Sequence, residues 1–77
     1  MADQGNMSGT TILSNQTYDL LAILLSKLEG LQAYDEYLDD MDGEYRQVIE
    51  QIRRDDERHA QMLRDTIERM VREGGFR

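Results

Sequence analysis

Apolar residues recur along most of this chain at alternating steps of three and four. From Leu20 onward the series runs Leu20, Leu24, Leu31, Tyr34, Leu38, Met41, with Lys27 as its single interruption and Leu21, Leu25 and Leu28 beside it. A second series runs Tyr45, Val48, Ile49, Ile52, Leu63, Ile67, Met70, Val71. This is the period of amphipathic helices, and no segment alternates with the period of a strand. The spacing predicts one helix over about 14–41 and another over about 44–72. Asp42-Gly43 is the only strong break between them. Ser14 is placed to cap the first helix, with Leu13 and Tyr18 flanking the cap as a hydrophobic staple. Gly74-Gly75 ends the second, behind Arg69 and Arg72, where the helix dipole favours cations. A break this short makes the pair an antiparallel hairpin. Residues 1–13, with Gly5, Gly9 and few apolar groups, are expected to be a flexible arm, and 74–77 a short tail.

A two-helix hairpin covers only one side of each stripe. Two hairpins meeting face to face make a four-helix bundle, so the expected architecture is all-α, a hairpin completed by dimerisation. Composition agrees. The chain has 77 residues and no cysteine, so neither disulfides nor a thiolate metal site can support a small core. Proline is absent as well, which suits long helices.

The second stripe is interrupted without losing register. In Ile49, Ile52, Asp56, His59, Leu63, Thr66, Met70 two core positions hold an acid and the chain's one histidine. A carboxylate withdrawn from water needs a cation, a hydrogen-bond network or a metal. Asp56 and His59 are three apart and project from one face, spaced either to grip one ion or to pair with each other and with Arg or Lys. About a turn centred near 42–43, Asp56 falls level with Glu29, and His59 with Lys27 and Leu25. In a symmetric dimer, two copies each of Glu29, Asp56 and His59 would give four carboxylates and two imidazoles, the ligand count of di-iron or di-manganese carboxylate bundles.

The segments Leu28-Glu29-Gly30-Leu31-Gln32-Ala33-Tyr34 and Arg54-Asp55-Asp56-Glu57-Arg58-His59-Ala60-Gln61-Met62-Leu63 resemble the ferritin-like superfamily, in particular rubrerythrin-type sequences and the encapsulated ferritins. The resemblance covers about residues 18–72. It implies a two-helix half-bundle that binds paired iron, with manganese or no metal as alternatives, and that oxidises Fe(II) with oxygen or peroxide. It places metal ligands on Asp56 and His59, with Glu29 completing the set. Two positions differ from the family pattern. Asp56 stands where the family has Glu, and the position seven before Tyr34 is Lys27, whose ammonium could stand in for the metal's charge. The alternative reading is therefore a non-catalytic helical-hairpin oligomer with a degenerate site, structural or partner-binding.

The charge balance narrows the partners. There are 16 acids against 9 bases, a net charge of -7, so no nucleic-acid backbone is expected to bind. The longest wholly apolar run, Leu20 to Leu25, is too short for a membrane span. No charged-then-apolar signal opens the chain, so the expected location is the cytoplasm or an intracellular protein compartment. Residues 1–13 are the candidate for docking to a larger shell. Asp35, Asp39 and Asp42, in the acidic run by the turn, read as a solvated hairpin end or a secondary cation site. An EF-hand is excluded, because with Gly43 at its glycine the first and twelfth positions would be Leu38 and Ile49. The sequon at Asn15-Gln16-Thr17 has no secretory signal before it.

Overall fold

The computed structural model describes residues 12–75. The proposed arm therefore lies outside the described residues up to position 11, as do residues 76 and 77 of the tail. Two α-helices make up the described chain, α1 (Asn15–Leu38) and α2 (Gly43–Arg72). There is no strand among the described residues.

Each end has an identifiable stop. Ser14 takes an extended backbone and its hydroxyl accepts from the Thr17 amide at 3.1 Å, satisfying one free donor of the first turn. At the other end of α1, the sequence pattern carried the helix to Met41, but the helix closes at Leu38. The chain must already be turning at Asp39 to reach extended Asp42 and left-handed Gly43, which has φ 55°. The last turn of α1 holds no basic residue of its own. Arg46 supplies the charge from α2, donating to the Leu38 carbonyl at 2.6 Å. Helix α2 ends in a Schellman motif. Gly74 at φ 78° donates to Val71 O, and the Gly75 amide donates to Met70 O at 2.9 Å.

Contacts between the helices run in opposite directions along the chain. Arg53 bonds Asp35 near the turn, Lys27 bonds Asp56 midway, and Thr17 meets Met70 at the open end. The open end is fastened through Thr17, whose side chain is wholly buried. Its hydroxyl lies 2.8 Å from Ser14 Oγ and 3.1 Å from Met70 Sδ.

The hairpin is a single layer. Its extents are 49 × 26 × 15 Å, and the shortest is close to the ~10–12 Å diameter of one helix with its side chains. Among the described residues only Leu31, Leu38, Ala60 and Ile67 form a buried apolar core. Much of both stripes is left uncovered. On α2, Tyr45 is 71% exposed, Val48 58% and Met62 60%. With Ile52 and His59 these positions share one face by their steps of three, four and seven. On α1, exposed Ile23 and Tyr37 fall on the face of Lys27 and Tyr34 by the same spacing. The opposite side of α1 carries exposed Tyr18, Leu25 and Leu28, with Leu13, Leu21 and Ala22 beside them.

Candidate polar centre at Asp56

Asp56 lies near the middle of α2, on the flank of the stripe that adjoins α1. Its side chain is only 20% exposed, the least of the carboxylates in ion pairs among the described residues. Three groups converge on it. The Tyr34 hydroxyl donates to Oδ2 at 2.9 Å, and the Lys27 ammonium donates to Oδ1 at 3.3 Å. His59 Nδ1 stands 3.5 Å from the same Oδ1.

The backbone explains the convergence. Lys27 and Tyr34 are seven apart, two helical turns, and so lie on one face of α1. Asp56 sits between their levels on α2, where a long lysine reaches it from one side and a phenol from the other. His59 approaches along α2 itself, one turn on. Both carboxylate oxygens are thereby engaged, one by a neutral donor and one by a cation.

The titration behaviour follows from these contacts. The Tyr34 hydrogen bond does most to hold the Asp56 carboxyl below its ordinary value of 3.8; burial opposes this, and Lys27 and His59 reinforce it. The same hydrogen bond raises the Tyr34 phenol above 10.0, because its proton is held against the carboxylate.

The other residues singled out in the sequence lie apart. Glu29 is exposed and takes no part in this cluster. Asp35 is 61% exposed and bonds Arg53 at 2.9 Å. Asp39 ends α1 and Asp42 precedes α2, both exposed. Within one chain, no three His, Cys, Asp or Glu side chains among the described residues are grouped to hold a metal ion. Asp56 and His59 stand together, with the Lys27 ammonium on the same Oδ1 that His59 Nδ1 approaches.

Tyr34 belongs to the apolar series of α1, where a tyrosine reads as core or interface or, near a metal, as a source of electrons or of a hydrogen bond to a ligand. Its signal was the seven-residue step from Lys27. Thr17 enters the sequence reading only as part of the sequon, although it stands one step before Leu20 and Leu24 on the same stripe.

No family model, curated protein or solved structure matches this chain. Among the described residues, no helix is long and apolar enough to cross a membrane.

Proposed function

We propose that this chain is a non-catalytic half-bundle, a helical hairpin that completes its core by pairing with a second copy and serves as a structural or partner-binding module. It is ferritin-like in design, with the Lys27 ammonium in the place of a metal cation. The observation that carries this reading is the Lys27–Asp56 ion pair at 3.3 Å, reinforced by the Tyr34 hydroxyl on the other oxygen. A carboxylate already satisfied on both oxygens has little to gain from a metal, and an ammonium beside it repels a divalent ion.

Pairing follows from the uncovered stripes. The broad face measures 49 × 26 Å, room for the ~800 Å² per partner of a standard specific interface. We assign the contact to the side bearing Tyr45, Val48, Ile52 and Met62, because that stripe runs along α2 and flanks the Asp56 cluster. The leucine patch on the other side, which reaches Leu28, faces away from that cluster by its spacing. Within such an interface the polar cluster would fix register, as a buried polar group does in a coiled coil.

The second reading is an iron site across the dimer interface, with Asp56, His59 and Glu29 as ligands and Fe(II) as the species oxidised. It draws on the approach of His59 to Asp56 at 3.5 Å. It requires Lys27 to leave the carboxylate and Glu29 to turn inward from the flank. Thermal melts in the presence of a chelator and, anaerobically, of Fe(II) separate the two. The half-bundle reading predicts superimposable melts. A rise in Tm with Fe(II) that is lost in His59→Ala would establish the metal site instead.

A further inference from the structure

We propose that Met70 is a redox-sensitive modification site: hydrogen peroxide converts its thioether to the sulfoxide, and the sulfoxide releases the open end of the hairpin. The device lies within one chain.

The open end is held by an ordered line of donors. Ser14 Oγ accepts from the Thr17 amide at 3.1 Å and lies 2.8 Å from Thr17 Oγ1. With that amide hydrogen received, the Ser14 proton is directed to Thr17 Oγ1 and the Thr17 proton to Met70 Sδ, at 3.1 Å. The Gly75 carbonyl stands farther off, at 3.5 Å. A thioether sulfur is a weak acceptor, yet here it joins the end of α2 to the wholly buried Thr17 of α1. Gly75 crowds the other side, since a Cβ there would come within 3.3 Å of Met70 Cγ. The Gly75 amide also donates to the Met70 carbonyl at 2.9 Å. Met70 thus ties Thr17 to the turn that ends α2.

The same residue is within reach of solvent. It is half-buried and lines a surface groove with Gln16, Thr66, Arg69, Glu73 and Gly75. In the reaction a sulfur lone pair attacks one peroxide oxygen, and the S–O bond forms as the O–O bond breaks. The departing hydroxide takes the proton of the transferred oxygen and leaves as water. Sulfur is oxidised by two electrons and the peroxide is reduced by two.

The product does not fit where the thioether sat. No oxygen can be inserted between Met70 Sδ and Thr17 Oγ1 at 3.1 Å. An oxygen on the other lone pair makes the side chain larger and polar in a place already crowded by Gly75. The groove receives it instead, because the Gln16 amide and the Arg69 guanidinium supply donors there for a sulfoxide oxygen. The side chain turns outward and the Thr17–Met70 contact parts. Both helix ends then fray back toward buried Ile67. The turn end keeps the Arg53–Asp35 pair and the Arg46 bond to the Leu38 carbonyl. Met62, 60% exposed, is an internal control, oxidised without disturbing this latch.

The test treats the full chain with graded hydrogen peroxide. Peptide mass spectrometry locates the added oxygen, and amide hydrogen exchange reads protection along the same chain. The expected result is a sulfoxide at Met70 with exchange about tenfold faster over 14–20 and 67–75 and little changed over 35–50. Met70→Leu, treated alike, should keep its protection while Met62 is oxidised, since Leu and Met replace one another in packed sites at small cost. Incubating the oxidised wild type with the two methionine sulfoxide reductases, one for each sulfoxide epimer, should restore protection, a readout that needs no variant. A Met70 thioether that survives a dose oxidising Met62 would overturn the proposal. So would a sulfoxide at Met70 with exchange unchanged at the open end, or equal loosening in Met70→Leu.

Discussion

Dilution is the perturbation that bears most simply on an incomplete core. If the folded state is a pair of chains, its melting temperature must depend on concentration, because unfolding also separates the partners. The two helices hold 24 and 30 residues. A dimer therefore melts about 108 helical residues, with an unfolding entropy of about 230 cal/mol/K at ~2.1 cal/mol/K per residue. Each tenfold dilution shifts the balance by about 1.4 kcal/mol. The quotient is a fall in Tm of about 6 °C per decade of concentration. Far-ultraviolet circular dichroism at three concentrations a decade apart measures it. Val48→Glu supplies a second handle. Val48 is exposed in the single chain, so the substitution costs little there, yet it would set a charge in the paired face. That variant should melt lower, and addition of more protein should restore little. A Tm constant to about 1 °C across the series would refute the argument that the exposed stripes are covered by a second copy.

Other expectations concern the polar centre and the core. Tyr34→Phe removes the hydroxyl that does most to depress the Asp56 carboxyl, so its titration, read by carboxyl-carbon NMR, should move up toward 3.8. A depressed carboxyl contributes stability above its unfolded value that is lost as pH falls through the lower folded value. Acid titration of the wild type should therefore show this contribution fading below about pH 4, and over a narrower range in Tyr34→Phe. Leu38→Ala empties a position buried where α1 ends and should cost about 2–4 kcal/mol in urea unfolding, the range for a leucine lost from a packed site.

The helices were legible because the stripes keep step and Asp42-Gly43 alone breaks them. Ser14 was legible as a cap because the one suitable hydroxyl precedes the first turn. The end of α1 was not, since Asp39, Asp40 and Met41 can all enter a helix. What stops it is the left-handed Gly43 and an arginine eight residues past Leu38 that caps the carbonyl from α2. At the centre, the break in the α2 stripe pointed to Asp56 and His59, and the hairpin register to Lys27. Glu29 was carried along by level alone. Level fixes height along the axis and not the angle about it, and Glu29 stands on a flank away from the cluster. Tyr34 could be placed on the right face by its spacing, but a tyrosine on an apolar stripe does not disclose which way its hydroxyl bonds. The pairing of chains lies a further step away, because it is argued from what one chain leaves uncovered.

Native mass spectrometry after anaerobic incubation with Fe(II) reads assembly and metal content in one spectrum. The account predicts an even-numbered assembly built on dimers whose mass equals that of its chains, with no iron retained. A dimer that holds iron in stoichiometric amount, and loses it in His59→Ala, would contradict the claim that Lys27 provides the cation for Asp56.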